Sequence, residues 1–381
     1  MEIKNLTLIF SHLEKEHLGK DVFLVPYYLG KELSCEVNIV YQKTKTNKLF
    51  DNCSYYKGVK LHSLKNLFRI DKLQNISFLI SSLIYIIYNG KKIDLLMTFH
   101  FRITSAILCL LYKLVNSKGK FYLKVDGGED ILDVRNNSSF IKNFIYDKLL
   151  KRGDYISVET HLAYKLWNEN LNISEKIFLV ENGFDEEQLS KLSIDVIPFI
   201  EKENTFITVG RLGTAQKNTL MFLKAIEKIS NLKNWKFYFI GSIEENFKKE
   251  IELFYRNNPL LKNNVIFTGP ISEKRDLWEF YNKAKVFVMT SRWEGYAIVF
   301  SEAYRFNNYI ISTIVGGAEE VITRNNGFGK LIEQENDDEL KSILENIIND
   351  KNYFIKYPNK DQSDHSWQRC LKLLVNNIKS N

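Results

Sequence analysis

Apolar and polar positions along the first half of the chain predict strands that alternate with helices. Short apolar runs of strand length are followed by longer segments whose apolar residues recur with helical spacing. The predicted strands are 6–10, 35–41, 93–99, 120–125, 155–159 and 177–181, and the predicted helices are 21–33, 73–88, 103–115 and 140–151. Strands joined by helices of this length are typical of a parallel sheet with helices on both faces.

The alternation is interrupted at 189–204, where charged residues and Pro198 break the apolar pattern, and then it resumes. The second series has predicted strands at 206–209, 236–240, 265–268, 286–290 and 309–313 and predicted helices at 220–229, 245–256, 274–284 and 297–306. Two such series predict an α/β protein with two facing Rossmann-like domains. Ligands of these sheets bind beyond the carboxyl ends of the strands, so we expect the site in an interdomain cleft.

The cysteines and the apolar segments set an expectation for location. The four cysteines are scattered and include no C-x-x-C pair, which argues against a zinc site or a disulfide framework and fits a reducing cytoplasm. Residues 1–10 form a strand-like run followed at once by polar residues, so we expect no signal peptide. Segment 73–88 is shorter than the roughly 20 residues of a membrane-spanning helix, so it is interpreted as a buried crossover helix.

The net charge is +7, and basic residues cluster between Lys43 and Lys72, where eight Lys or Arg accompany two Asp. One interpretation is a peripheral contact with an anionic membrane at the inner face of the cell membrane, or with a phosphate-bearing acceptor. The other is an ordinary solvated, Lys-rich surface. On the first interpretation, neutralising Lys57, Lys60 and Lys65 weakens vesicle binding by about 1 kcal/mol per charge. Nucleic acid is not expected as a partner.

The segment 291–303, which reads SRWEGYAIVFSEA, follows a buried strand and opens a helix. Glu294 precedes the predicted helix, and Glu302 lies about two turns into it. Amides near Gly295–Ala297 would be free helix-start donors that suit an anion, and a carboxylate beside them can accept hydrogen bonds from sugar hydroxyls. Taken alone, the pattern also fits a capped helix with one surface Glu.

Two further motifs follow predicted strands of the second series. Gly210 and Arg211 end its first strand, and Lys217 opens the next helix. An Arg fork suits phosphate geometry and Lys adds a point charge, so both could converge on a diphosphate, although each alone is also typical of a surface cation. Gly316 and Gly317 follow the strand 309–313. Paired glycines let the backbone approach a ligand closely, and they also occur in ordinary turns.

Together and in this order, these motifs resemble the donor-binding domain of the large retaining glycosyltransferase family 4, which has the two-Rossmann glycosyltransferase-B fold. The matching residues are Val209-Gly210-Arg211-Leu212 with Lys217, Glu294-x7-Glu302, Gly316-Gly317 with Glu320-Val321-Ile322, Asn182-Gly183-Phe184-Asp185 and Ser366-Trp367. The resemblance covers residues 150–375 well and the earlier residues only in layout. It implies an acceptor-binding domain at 1–188, a linker at 189–203, a donor-binding domain at 204–360 and a helix at 361–381 that crosses back to the first domain.

The resemblance also implies roles for single residues. Arg211 and Lys217 would hold the donor diphosphate, Glu302 would bind the donor ribose, and Glu294 would contact the transferred sugar with the amides of Gly295, Tyr296 and Ala297. Arg211, Lys217 and Glu294 are the candidate catalytic residues. Two cations and a helix start can stabilise the charge on a departing nucleoside diphosphate without a metal. We therefore expect neither a metal nor a cofactor, and we expect these side chains to line an open cleft.

The first domain departs from the family pattern. Members commonly place a His after the strand 120–125, where this chain has Asp126, and His100 lies one strand earlier. Either side chain could face the acceptor, but Asp126 also fits a turn or helix-cap residue and His100 a satisfied core histidine. In retaining transfer by this fold the donor phosphate is often proposed to take the acceptor proton. No general base is therefore assigned.

These features predict a hexosyl-transferring glycosyltransferase of polysaccharide biosynthesis. The donor is a nucleoside diphosphate sugar, with UDP favoured by family habit, and the acceptor is a glycan, a lipid-linked molecule or a protein. The alternatives are a nucleotide-sugar epimerase and a non-catalytic partner of a glycosyltransferase complex. The chain contains no Asp-x-Asp, which the metal-dependent glycosyltransferase fold uses, and no dinucleotide-binding or P-loop glycine motif.

Overall fold

The computed structural model describes residues 2–44, 54–68, 73–127, 129–355 and 363–380. The chain divides into two compact units, of which the first comprises Met1–Gly183 with Trp367–Asn381 and the second comprises Phe184–Ser366. Each unit holds one sheet whose strands are connected through helices. The prediction of two Rossmann-like α/β domains is therefore confirmed.

The first unit is built on an eight-stranded sheet with the order β3-β4-β2-β1-β5-β6-β7-β8. Its strands are β1 (Asn5–Phe10), β2 (Glu36–Gln42), β3 (Tyr55–Tyr56), β4 (Val59–Leu64), β5 (Leu95–Phe99), β6 (Lys120–Lys124), β7 (Tyr155–Val158) and β8 (Ile177–Leu179). Its α-helices are α1 (Asp21–Leu33), α2 (Gln74–Asn89), α3 (Ile103–Val115), α4 (Ile131–Asn136), α5 (Phe140–Arg152), α6 (His161–Leu171) and α14 (Trp367–Ser380). The strand pairs are parallel except for the edge pair β3–β4.

The second unit is built on a six-stranded parallel sheet with the order β11-β10-β9-β12-β13-β14. Its strands are β9 (Glu203–Val209), β10 (Lys236–Ile240), β11 (Val265–Gly269), β12 (Ala284–Met289), β13 (Tyr309–Thr313) and β14 (Gly329–Ile332). Its α-helices are α7 (Glu186–Leu192), α8 (Thr219–Glu227), α9 (Glu245–Asn257), α10 (Lys274–Lys283), α11 (Ile298–Arg305), α12 (Ala318–Arg324) and α13 (Asp337–Asn349). Because β9 and β12 are central neighbours, the loops that follow them meet at one edge.

The central strands are apolar because helices cover both faces of each sheet. Every residue of β5 and of β13 is buried. Segment 73–88, interpreted as a crossover helix, corresponds to α2, which precedes β5 and packs against α3. Among the helices of the described residues, none is both long enough and apolar enough to cross a membrane.

Strand β4 was not predicted, because this stretch was interpreted only as part of the basic cluster. Val59 and Leu61 are buried and Lys60 is exposed, which is the alternation of a half-buried strand. The strand pairs with β2 in parallel, so this part of the basic cluster is sheet rather than a loose segment. The basic residues Lys45, Lys48, Arg69 and Lys72 of the same cluster lie outside the described residues.

The segment 189–203, expected to be a linker, begins inside α7 and belongs to the second unit. The Asp185 carboxylate caps this helix by accepting a hydrogen bond from the Gln188 amide at 3.0 Å, and Leu189 is buried in the core. A helix of two turns shows too little periodicity to be recognised from sequence. The predicted C-terminal helix corresponds to α14, which packs against α1 in the first unit.

Candidate functional site

The loops that follow β9 and β12 carry most of the predicted site. β9 ends at Val209, and Gly210 lies so close to Lys217 that a Cβ at position 210 would sit 3.2 Å from the lysine Cε. The Gly210 carbonyl in turn packs on Gly241, where a Cβ would come within 1.8 Å of it. Glycine at 241 therefore lets two backbones approach closely, and glycine at 210 leaves room for the Lys217 side chain.

Lys217 and Glu294 form an ion pair at this edge, with 2.6 Å between Nζ and Oε1. Both side chains keep limited contact with solvent, at 18% and 9% exposure. The Gln216 amide donates to Trp293 O at 3.0 Å and to Glu294 Oε2 at 3.3 Å. Arg211 donates to Gln216 Oε1 at 3.0 Å, so the structure joins all three candidate catalytic residues in one hydrogen-bonded network.

A small pocket opens beside this network. Gly210, Lys217, Thr290 and Ser291 contribute to its lining, together with the carboxyl ends of β9 and β12. The Thr290 hydroxyl donates to the carbonyls of Lys217 and Asn218, both at 3.1 Å, and so joins the start of α8 to the end of β12. The pocket lies where a parallel α/β sheet binds its ligands.

Arg292 is a structural member of the site that sequence reasoning missed. Its guanidinium donates to Glu335 Oε1 at 2.5 Å, to Ala215 O at 2.6 Å and to Asn218 Oδ1 at 3.0 Å. Hydrogen bonding to Arg292 holds the pKa of the Glu335 carboxyl below its usual value. Arg292 thus joins the loop 211–218 to the loop before α11. This role could not be predicted from the motif, because the hydrogen-bond partners of Arg292 are distant in sequence.

Gly316 and Gly317 pack against the loop that carries Glu294. A Cβ at position 316 would come within 2.0 Å of Gly295 O, and one at 317 would meet the Tyr296 ring at 2.8 Å. Gly317 also has φ of 81°, which favours glycine. The glycine pair therefore sets the position of the Glu294 loop by close packing.

Helix α11 starts without a side-chain cap, since its N-cap residue is Ala297. The predicted anion site at Gly295–Ala297 thus lies at a helix start whose first amides have no capping side chain. The Tyr296 side chain is buried, and its hydroxyl is 3.2 Å from His365 Nε2. A contribution of Tyr296 to donor binding would therefore come from its backbone.

Glu302 belongs to a different cluster from Glu294. Its Oε1 accepts a hydrogen bond from the Trp278 indole at 3.0 Å and forms an ion pair with Lys274. The residue is 4% exposed, whereas it was expected to line an open cleft. The expectation failed because the spacing of two turns places Glu302 on the face of α11 that packs toward α10. Burial and the neighbouring Glu302 carboxylate raise the pKa of Tyr281 well above its usual value.

The candidate acceptor residues lie at the carboxyl edge of the first sheet. His100 follows β5 with φ of 65°, and its amide donates to Lys124 O at 2.8 Å. Burial, reinforced by Arg102, lowers the pKa of His100, while Asp126 and Asp21 act against that shift. Asp126 follows β6 and is exposed. Neither side chain has a contact that would distinguish an acceptor role from a structural one.

A buried ion cluster at the same edge was not expected from sequence. Lys124, the last residue of β6, forms ion pairs with Glu159 and, at 3.4 Å, with Asp21 Oδ2. The Lys124 and Glu159 side chains have no solvent exposure. Burial by itself lowers the pKa of the Lys124 ammonium, but the two carboxylates outweigh burial and hold that pKa above its usual value. Lys124 is therefore a buried cation that links β6, β7 and the start of α1.

Comparison with known proteins relates the second unit to a family. Residues 190–361 match the family model described as glycosyl transferases group 1. One relative is the GalNAc-alpha-(1->4)-GalNAc-alpha-(1->3)-diNAcBac-PP-undecaprenol alpha-1,4-N-acetyl-D-galactosaminyltransferase of Campylobacter jejuni, which is 29% identical over 65% of this chain and 65% of its own length. This chain spans about half to two thirds of the length of several curated relatives that it matches.

Solved structures share the fold over nearly the whole chain. The lipopolysaccharide outer core galactosyltransferase WaaB has a TM-score of 0.69 and 14% identity, with 99% of each chain covered. The UDP-GlcNAc 2-epimerase of Methanocaldococcus jannaschii has a TM-score of 0.61 and 16% identity, with 99% of this chain and 100% of the other covered. A transferase and an epimerase thus share this architecture, so the fold by itself does not decide the reaction.

Proposed function

We propose that this protein is a glycosyltransferase that transfers a sugar from a nucleoside diphosphate donor bound by the second unit. The observation that carries the proposal is the network of Arg211, Gln216, Lys217 and Glu294 at the carboxyl edge of the second sheet. It combines two cations, a carboxylate and a helix start in the region matched by the group 1 model. These groups are complementary to a diphosphate joined to a sugar.

The ion pair between Lys217 and Glu294 suggests how the donor would enter. A donor phosphate is a competing anion for Lys217, and once Lys217 turns to it, Glu294 is released to accept hydrogen bonds from the sugar. As the bond between the sugar and the phosphate breaks, negative charge grows on the leaving diphosphate. Lys217, Arg211 and the start of α11 would stabilise that charge in the transition state.

The finer assignments belong to the same proposal. We assign ribose binding to Glu302, whose carboxylate is oriented by Trp278 and Lys274. The donor is proposed to be a UDP-sugar and the transfer to retain configuration without a metal, on the strength of the family 4 resemblance. The acceptor is proposed to be a glycan, a lipid-linked molecule or a protein. A lipid-linked glycan is tested first, because the Campylobacter relative is named for one.

A panel of nucleotide sugars tests the proposal directly. Purified protein is mixed with each donor, with and without a lipid-linked glycan acceptor, and the release of free nucleoside diphosphate is measured. We expect release with one donor, stimulated by acceptor and lost in Lys217→Ala. Absence of release across all donors and acceptors, with the fold intact, would contradict the proposal.

The same assay separates the alternatives. A nucleotide-sugar epimerase returns a sugar that is still joined to its nucleotide but has changed configuration, which chromatography of the donor pool detects. A non-catalytic partner changes no donor and instead alters the activity of another transferase. The epimerase alternative is included in the test because this chain shares its architecture with the Methanocaldococcus epimerase. The intact network of cations and glutamate argues against the non-catalytic alternative.

A further inference from the structure

Helix α5 has apolar side chains on its outer surface that are exposed and are not packed into the core of the first unit. Tyr146, Leu149 and Leu150 are buried in the core and account for the attachment of the helix. In its first turns, however, Phe140, Ile141 and Phe144 are 86%, 70% and 54% exposed. Single exposed apolar residues are ordinary, but three large ones within five positions form a contiguous patch that requires an explanation.

The same helix is strongly basic. Lys142, Lys148, Lys151 and Arg152 are all exposed, and Asp147 is the only acid in its sequence. Arg135 pairs with Asp147 at 2.8 Å and so offsets its charge. Lys148 Nζ lies 5.0 Å from the centroid of the Phe144 ring, so the basic and aromatic groups share one surface. Ser139 caps the helix and fixes its start at Phe140.

The patch lies at the carboxyl edge of the first sheet and extends beyond the strand ends. β6 and β7 are parallel, so α5 must run back from the carboxyl edge of the sheet to the amino edge, and its first turn lies at the carboxyl edge. Tyr146 stacks on Phe101, which follows the end of β5, with 4.5 Å between ring centroids. Phe140 precedes Tyr146 by more than a turn and therefore extends beyond the strand ends. That edge also carries His100 and Asp126, the candidate acceptor residues.

We propose that helix α5, residues 140–152, docks on an anionic lipid bilayer through the surface that carries Phe140, Ile141 and Phe144. Phenylalanine and isoleucine beside lysines are the composition of a helix that lies in a membrane interface, with its apolar side chains among the acyl chains and its cations at the headgroups. The surplus of basic over acidic residues on this helix is complementary to anionic lipid rather than to a second copy of itself. The proposal is independent of the transferase activity.

Vesicle co-sedimentation of the full chain tests the proposal. The vesicles contain phosphatidylcholine with or without phosphatidylglycerol, and no nucleotide sugar is added, so the result does not depend on the proposed reaction. The parent protein should bind the anionic vesicles. The double variant Phe140→Ser, Phe144→Ser should lose at least about tenfold in binding, since it removes the inserted apolar groups. The double variant Lys142→Gln, Lys148→Gln should lose about fivefold per charge, an effect that high salt reduces.

Two control variants make the test specific. Leu114→Ser removes an equally exposed apolar residue, 81% exposed, near the end of α3 at the opposite edge of the same sheet, and it should bind like the parent. The triple variant Lys57→Gln, Lys60→Gln, Lys65→Gln probes the basic cluster near β4 and should lose less than the α5 variants. Thermal melts establish that every variant is folded.

Four results would each overturn the proposal. The first is a parent protein that does not bind anionic vesicles. The second is a serine double variant that binds like the parent. The third is a triple lysine variant that alone abolishes binding. The fourth is a parent protein that is a dimer by light scattering and becomes a monomer in the serine double variant, because the patch would then be an interface between two copies.

Discussion

Both sheets have a lysine–glutamate pair at the carboxyl edge, and the two pairs differ in access to solvent. Lys217 and Glu294 retain 18% and 9% exposure, and Lys217 lines a small pocket. Lys124 and Glu159 have none, and Asp21 adds a second carboxylate. In a solvent-accessible ion pair, either side chain can leave its partner and bind a ligand instead. In a fully buried pair, the same exchange has a large desolvation cost. The same two residue types thus suit binding in one unit and architecture in the other.

The largest expected effect is on the folding stability of the first unit. Lys124→Met removes the cation and leaves the Glu159 carboxylate buried without it. This should lower the free energy of unfolding by about 3–5 kcal/mol. Urea denaturation followed by circular dichroism measures it. The double variant Lys124→Met, Glu159→Gln should recover part of the loss, because the stranded charge is gone. A loss below about 1 kcal/mol in the single variant would contradict the structural role.

The accessible pair should show the reverse behaviour. Lys217→Ala and Glu294→Gln should each change stability by no more than about 1 kcal/mol, because the pair is partly solvated. Each should lower kcat by about 100-fold, which corresponds to about 2.7 kcal/mol of lost transition-state stabilisation. Steady-state kinetics at saturating donor measures the effect. Normal kcat in both variants, with unchanged melting, would show that the donor binds elsewhere.

Glu302 tests whether a buried carboxylate of the second unit binds donor. If it holds the ribose, it contributes equally to substrate and transition state, so Glu302→Gln should raise the donor KM more than it lowers kcat. Lys274→Gln keeps the carboxylate and removes its partner, and it should have a smaller effect on KM. Donor titrations of both variants give this ratio. Equal KM values for Glu302→Gln and the parent would leave Glu302 with a purely structural role.

His100 should make a small contribution to the pH dependence of stability. Its pKa in the folded state lies below the ordinary value of 6.5, so the unfolded state binds more protons at pH below 6.5 and stability falls as pH falls. His100→Asn keeps a residue that accepts the left-handed backbone and removes the titration. Denaturation across this range should show a shallower slope in the variant. An unchanged slope would assign the dependence to other groups, such as His17 and His62.

The smallest expected effect is that of metal removal. Two cations and a helix start would stabilise the leaving diphosphate, so turnover should be unchanged in the presence of a chelator. Donor turnover with chelator, and then with added Mn²⁺ or Mg²⁺, measures this. Activity that disappears with chelator and returns with either ion would count against the proposed mechanism.

The sequence alone determined the secondary structure where helices and strands are long and strongly patterned. Segments 21–33 and 103–115 were predicted with the bounds of α1 and α3, and 236–240 and 309–313 with those of β10 and β13. Their regular apolar spacing is a local property of the chain. Local patterning also located the Gly210, Glu294 and Gly316 motifs at strand ends. A buried strand followed by glycine or a charged residue can be recognised from the local sequence, without knowledge of its tertiary contacts.

Tertiary structure decided which of these residues meet. Glu294 and Glu302 lie on one turn-and-helix segment, yet Glu294 pairs with Lys217, which is 77 residues away, and Glu302 with Lys274, which is 28 residues away. The first pairing exists because β9 and β12, distant in sequence, are neighbours in the sheet. The second exists because α11 packs beside α10. Strand order and helix packing are properties of the whole fold, so the partner of each charge could not be determined from its position in the chain.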